Sequence, residues 1–483
     1  MSATVTEEIR LERLDPASRS ASTPASSLGH GGGDEDGQGA VAAIDGSREQ
    51  LVSDLAPIDG GRKAWTFVFA SFVFETMIWG QSYAYGAYQN YHDHDVRSAL
   101  YGKASPAATS AIGTLVIAGQ HFVPLLTRGF FRTYPHLIKR VALGSIALSS
   151  LSLLAASFLE AHVAALLVFQ GILYGILSGV TFTPVILWLP QWFDERRGTA
   201  SGIIYSGSGL GGTVFPLLVG KLLDGVGFAW TLRIVALVSF IATSLAAMLM
   251  QPRLPIVTAP SWPRQTVVRR LLPEGIKAMW STPFAGVGEA IIFCQSCAWC
   301  TISLYISTYT SSLGFNATTA TGILSAFNAS ATVGYLSIGR LIDMTSYPFV
   351  MGASTLTCSL AAFLLLGFSH SLPLLVAFVL VFGLAGGGFT TFLTPLSTDL
   401  AKLNSQDLGT IYLALIFVRG TAAVGGPLVG AALYDEGELG NFALYGAHGF
   451  RDVIIFVGTG MIIACGLAIA AWLLRRKWMA AST

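Results

Sequence analysis

One arginine and two glutamates stand where the chain offers them no water. Arg419 lies inside an unbroken apolar run, Leu415-Ile416-Phe417-Val418-Arg419-Gly420. A guanidinium stays charged and grips a carboxylate through two parallel hydrogen bonds. An ionisable group in mid-bilayer costs about 2.5–3.5 kcal/mol on insertion scales, so it must face a cavity or a partner. Arg419 is therefore a candidate anchor for an anionic solute, or else a structural partner for a nearby glutamate or for carbonyls. Glu75 and Glu289 each follow a polar-edge lysine, Lys63 and Lys277, by the same interval. At a helical rise of 1.5 Å per residue both sit about 18 Å in, near a bilayer's midplane. They are candidates for proton coupling or substrate hydrogen bonding, with pairing to Arg419 or plain packing as the alternative. Gln81, Gln295, Tyr85 and Tyr412 are polar groups at comparable positions and complete the candidate substrate contacts. Trp79, Tyr83 and Tyr88 are aromatic candidates for a cavity wall, and His121 is an interfacial or relay histidine.

The elements that position these residues follow from composition. The chain of 483 residues is 53% hydrophobic and only 11% charged, against roughly 25% charged in soluble domains. Net charge is +1, which excludes a global field suited to nucleic acid. Apolar segments fall at 64–90, 104–127, 137–158, 162–190, 199–223, 229–250, 278–311, 318–343, 348–368, 372–395, 408–433 and 450–474. A helix needs about 20 apolar residues to cross the hydrocarbon core, so these predict twelve transmembrane helices. Residues 1–57 are rich in Ser, Gly, Ala and acids and lack an apolar stretch; they read as a disordered cytosolic tail. Residues 58–250 form a first six-helix bundle, 251–277 a proline-rich cytosolic linker, 278–474 a second bundle and 475–483 a short cytosolic tail. Eighteen Lys and Arg fall on the side of both termini. Only Arg97, Lys103, Lys221, Arg233 and Arg451 fall opposite, so both termini are expected in the cytosol. The sequon at Asn316 then faces outward, close enough to the membrane edge that we expect it to stay unglycosylated.

The two bundles repeat one another. A shift of 214 residues places Lys63 on Lys277, Glu75 on Glu289, Gln81 on Gln295, Ser82 on Ser296 and Ala84 on Ala298. Tyr134-Pro135 recurs as Tyr347-Pro348, and Pro216 with Asp224 as Pro427 with Asp435. Each half starts and ends on the same side. The halves are thus parallel repeats about an axis along the membrane normal, with substrate expected at midplane between them.

Glycines mark two helices. The fifth span carries Gly207, Gly209, Gly211 and Gly212, and the eleventh carries Gly426-Pro427. A nucleotide fingerprint needs a strand before such glycines; inside apolar spans they let helices approach closely. Cys294, Cys297 and Cys300 share one span, and with no histidine beside them they read as small packing residues rather than a metal site.

These landmarks resemble a known family. Residues 59–474 are similar to the fungal branch of the monocarboxylate porters, within the major facilitator superfamily. The resemblance rests on Asp59-Gly60-Gly61 with Trp65, on the run from Trp79 to Tyr88, and on Leu189-Pro190-Gln191-Trp192-Phe193-Asp194-Glu195-Arg196-Arg197-Gly198. Gly202, the Gly207–Gly212 cluster, Arg419-Gly420 and Gly426-Pro427 also fit. The sequence departs from the animal members: Ala87 stands where they carry a lysine, and residues 328–338 lack their charged pair. The loop after the second span keeps its positive charge without the usual aspartate.

The resemblance implies a secondary active or facilitative transporter of a small organic acid, a mono- or dicarboxylate such as itaconate, working by alternating access. Alternatives are an exporter of a larger apolar metabolite or drug, a vitamin importer, or a membrane sensor that does not transport. The expectation is an all-α membrane protein of twelve helices in two six-helix bundles. It would act in the plasma membrane as a monomer, on an anionic solute and with protons as candidate coupling ions. We expect no enzymatic activity, cofactor, metal or nucleic-acid partner.

Overall fold

The computed structural model describes residues 55–255, 282–404, 408–435 and 445–482. Almost all of the tail at 1–57 and most of the linker at 251–277 lie outside the described residues. The described chain is helical, and twelve passes can be followed. The first, α1, is Gly61–Tyr83 continued by Tyr85–His94. Next come α2 (Pro106–Thr133), α3 (Ile138–Ala156) and α4. The fourth begins at Val163–Leu166, passes a wide π turn at Leu167–Leu173, and ends as Tyr174–Trp192. Arg197–Leu249 is two passes, α5 and α6, separated where Gly227 takes φ 75°. The second half comprises α7 (Pro283–Ser312), α8 (Ala317–Met344), α9 (Tyr347–Leu360 with Ala361–Leu366), α10 (Leu372–Gly387, Gly388–Phe392 and Leu393–Asn404), α11 (Leu408–Leu433) and α12 (Arg451–Ser482).

Among the described residues, nine helices are long and apolar enough to cross a membrane, Arg197–Leu249 counting as one. Its turn makes two passes of it, and Gly61–Tyr83 and Ala317–Met344, both lining the seam, complete the twelve. Several helices overrun the apolar segments predicted from sequence. The last continues through Arg475-Arg476-Lys477, because backbone hydrogen bonding persists in the headgroup region after hydropathy has fallen. Phe69, Leu148, Leu151, Leu245, Phe349 and Leu428 point outward. Such a belt of exposed apolar side chains is what a lipid-facing surface requires.

Two faces can be named from the chain itself: a terminal face, where α1 begins and α12 ends, and the distal face opposite. At the terminal face Asp59 organises the first half. It adopts φ 60°, a conformation that aspartate tolerates better than most residues. This aims its carboxylate at the turn between α4 and α5. Its Oδ1 accepts from the backbone N–H of Asp194 at 2.8 Å and Arg196 at 2.9 Å, and Oδ2 accepts from Glu195 at 3.1 Å. Asp59 N–H donates to Trp192 O at 2.9 Å, and the Trp65 ring meets Phe193 edge-on at 5.4 Å. Two motifs some 130 residues apart in the chain are thus one physical unit. In the second half, Asp399 is 7% exposed. It accepts from Arg475 Nε at 2.6 Å and from Tyr347 Oη at 2.9 Å, tying α9, α10 and α12 together. Asn316 caps α8 at the distal face, its side-chain oxygen accepting from Thr319 N–H at 2.8 Å.

Replacing Asp59 with Ala leaves three donors of the α4–α5 turn without their carboxylate. We expect a loss of stability of about 1–3 kcal/mol, read as a lower melting temperature of the purified protein, with Asp59→Asn recovering part of it.

Candidate functional site

The seam between the halves is built on α5. Its glycines alternate between two neighbours. A methyl group added at Gly207 would lie 2.9 Å from Glu75 Cβ, and one at Gly211 2.8 Å from Gly80 Cα, both on α1. On the other side, one at Gly209 would lie 3.0 Å from Thr332 Cα, and one at Gly202 3.0 Å from Gly339 Cα, both on α8. At Gly212 it would meet Asn328 at 2.7 Å and the Tyr83 ring at 3.0 Å. Absent side chains therefore let α5 lie between α1 and α8 and carry the first half against the second. Gly426 does the same for α11 against the Cys297 backbone of α7, and the Pro427 carbonyl accepts from Tyr305 Oη at 3.3 Å. The second crossing joins α2 and α11, where Gly420 packs on His121 and Phe122 meets Phe417 at 4.7 Å.

Arg419 sits at this seam, 9% exposed, turned away from lipid. Its Nη1 donates to Ser296 Oγ on α7 at a long 3.5 Å, and among the described residues no ion pair forms on it. Glu75 is 1% exposed and its Oε1 has no hydrogen-bond partner. The two lie within electrostatic reach of each other across the seam. Tyr83, Cys300, Tyr412 and His121 also lie within reach of the guanidinium. On the terminal side of Arg419 the hydroxyls of Tyr205 (α5) and Tyr412 (α11) hydrogen-bond to each other, and the Tyr335 ring of α8 stands 6.4 Å from that of Tyr205. On the distal side Trp79 packs against Tyr83 at 6.1 Å and against His121 at 5.0 Å.

The structure thus brings Arg419, Glu75 and Tyr412 together. Tyr83 and His121 adjoin them, with Trp79 packed on both, while Gln81, Tyr85, Tyr88, Gln295 and Glu289 make their contacts elsewhere. Gln81 donates to Tyr88 Oη at 3.5 Å, and Tyr85 donates to the Thr109 carbonyl, both inside the first half. Gln295 donates to Gly386 O at 3.5 Å inside the second. Glu289 is buried with an unmatched Oε1, and among the described residues no charged group acts on it. His121 holds the Ile117 carbonyl through Nδ1 at 2.9 Å. Sequence reasoning missed Tyr205, Tyr335 and Asn328, since an apolar span does not record which of its hydroxyl and amide residues face the seam until helix rotation is known. Ser82 bonds Gln120, which bonds Ser178, at 2.9 and 3.3 Å. This chain leads to a small hydroxyl-lined cavity within the first half that also touches Ser149 and Ser239. That cavity has room only for water-sized molecules and lies off the seam.

The halves are closed on each other at the terminal face. Asp343, at the end of α8, accepts from Gly198 N–H at 2.8 Å, Thr199 N–H at 2.7 Å and Thr199 Oγ1 at 2.6 Å. It therefore caps the start of α5, where free N–H groups favour a negative charge. Arg197 adds a second bridge, donating to Thr398 Oγ1 of α10 at 2.8 Å while Asp194 steadies it at 3.2 Å. Asp194, Asp59 and Asp343 surround this guanidinium with negative charge. At the distal face Arg97 bridges Asp95 and Asp224, at 2.5 and 3.1 Å, within the first half.

A twelve-helix, two-bundle fold with an arginine and a glutamate held at its seam defines a membrane transporter. The chain belongs to the Major Facilitator Superfamily, whose model matches residues 64–427, and it is an integral multi-pass membrane protein. Among curated relatives it is 31% identical over 308 residues to the MFS-type transporter pytF of Aspergillus terreus, covering 61% of this chain and 94% of that protein. It is 26% identical over 427 residues to the MFS-type transporter pynF of Aspergillus niger, covering 86% and 92%. It is 26% identical over 417 residues to the Aspyridones efflux protein apdF of Emericella nidulans, covering 86% and 78%. Among solved structures, the human organic anion transporter MFSD10 (TETRAN) matches with a TM-score of 0.58 at 15% identity, over 86% of this chain and 99% of that one. FucP in the outward conformation matches with a TM-score of 0.57 at 14% identity, over 84% and 99%. These two share the fold.

If Asp343 and Arg197 hold the terminal face shut, Asp343→Ala should loosen it. Spin labels at the exposed positions 196 and 340 should then give a broader and longer distance distribution than in the parent protein. An unchanged distribution would show that the Asp343 cap is dispensable and leave the closure to the Arg197–Thr398 bridge and the glycine contacts.

Proposed function

We propose that the chain exports a secondary metabolite by alternating access, taking it up at the terminal face and releasing it at the distal face. The observation that carries this reading is the relative named for aspyridones efflux, matched along 86% of this chain. An exported metabolite is thereby better supported than a small organic acid such as itaconate. The acid group remains part of the reading, because a guanidinium without an ion pair at the seam favours a negative group on the solute. The monocarboxylate-porter resemblance is compatible with such a solute.

In this scheme the terminal face is cytosolic and the membrane is the plasma membrane, as the excess of Lys and Arg on that side supports. The described state is then shut toward the cytosol. Arg419 contacts the solute's anionic group, and Glu75, its unpaired neighbour across the seam, exchanges a proton during the cycle. Each can change partner as the halves rock, because neither is locked in an ion pair among the described residues.

Cells making the chain should accumulate an acidic metabolite in the medium, and deletion should retain it inside, as read by comparative metabolite profiling. Arg419→Ala and Arg419→Lys should each abolish export while the protein stays in the membrane, since a point charge cannot replace a planar fork. Full export by either variant refutes the clamp. Glu75→Gln should flatten the dependence of export on external pH; an unaltered pH profile dismisses it as the proton carrier.

A further inference from the structure

The side chains around Arg419 are not those a small aliphatic acid calls for. Tyr205, Tyr335 and Tyr412 lie on its terminal side and Trp79 with Tyr83 on its distal side, drawn from α1, α5, α8 and α11. Phe122 and Phe417 close the adjoining α2–α11 crossing. The internal repeat does not carry the ring at position 83 into the second half, and the ring matching Trp79 does not face the seam. The shift that places Glu75 on Glu289 places Tyr83 on Cys297 and Trp79 on Phe293. Phe293 is 43% exposed on the outer surface. Where α1 presents rings, α7 presents Ser296 to Arg419 and a single thiol, Cys300, to Tyr83 and Arg419; Cys297 packs on Gly426 of α11 instead. Cys300 is only partly buried and lies within reach of both Tyr83 and Arg419. The rings of Trp79 and Tyr83 thus stand beside Arg419, with only the small side chains of Ser296 and Cys300 reaching it from α7.

Ring faces attract other rings in offset or edge-on arrangements, worth about 0.5–1.5 kcal/mol beyond their buried area. A saturated body of the same volume gains the area without that increment, and a cation is repelled by the guanidinium. We infer that the seam binds a planar, conjugated organic anion, its acidic group on Arg419 and Ser296 and its ring system between Trp79–Tyr83 and the thiol of Cys300. This rests on Arg419 as the anion contact of the proposed exporter and names the class of its solute.

The test measures binding rather than transport. The purified full-length protein is treated with a small methanethiosulfonate, and modification of Cys300 is followed by peptide mass spectrometry. Three probes of equal skeleton are compared: 2-naphthoate, its fully saturated decahydro acid and neutral 2-naphthamide. The expected result is at least a tenfold slowing of Cys300 modification by 2-naphthoate at a concentration where the other two have little effect. Tyr83→Leu should lose that protection and Tyr83→Phe should keep it, because the ring face and not the hydroxyl is invoked. Equal protection by the saturated acid overturns the aromatic class while leaving the anion site intact. Protection by the amide, or by none of the three, overturns the placement at Arg419. Failure of metabolite export in cells alongside selective protection would instead refute the direction of transport and leave this site standing.

Discussion

The structure turns on a charge that cannot be neutralised in a medium that cannot solvate it. A guanidinium keeps its proton at any accessible pH, and hydrocarbon gives it neither water nor counter-ion. Arg419 is therefore held at the one place where a membrane protein can keep such a group, the seam between two bundles. There it finds a serine hydroxyl at long range and a glutamate across the gap rather than lipid. No closed ion pair forms on it among the described residues. A closed pair would satisfy the charge in one arrangement and resist its loss in another; an open one leaves the position available to a solute.

That seam exists because side chains are missing from it. The α5 helix reaches α1 through Gly207 and Gly211, and α8 through Gly202, Gly209 and Gly212. Contacts between smooth helix faces can slide or part without leaving large side chains stranded. The terminal face adds directional bonds to this surface. Asp343 grips the start of α5 and Arg197 reaches Thr398. Both lie where water can solvate the groups once the face opens, which lowers the cost of breaking them. A static packing role is equally served by glycine, but it would not call for a carboxylate from one half capping a helix of the other.

The internal repeat was legible as a coincidence of residue types, yet its two copies have separate fates. Glu75 and Glu289 are both buried with an unmatched oxygen, and among the described residues only Glu75 has an opposite charge within reach. Ser82 bonds within its own bundle while its repeat, Ser296, meets Arg419. Gln81 and Gln295 turn inward to Tyr88 and Gly386. Repetition of sequence sets depth in the membrane, because depth is a count of residues along an axis. It does not set which neighbour a side chain meets, because the helices packed against the two copies differ.

The sequence by itself determined that this chain lives in a bilayer, how many times it crosses, and that it divides into six and six. Those properties are sums over local composition, and hydrocarbon thickness converts them directly into helices. It also marked Arg419 and Glu75, since a charge in an apolar run is anomalous wherever it points. Only the tertiary structure decided that Asp59 and the Asp194–Arg196 turn form one unit, that Tyr205 and Tyr412 meet, and that Asp343 closes the terminal face. Each of these depends on the rotation of a helix about its own axis and on the partner it packs against. In a span apolar on nearly every side, no hydrophobic stripe records that rotation; it is set when glycine faces find one another.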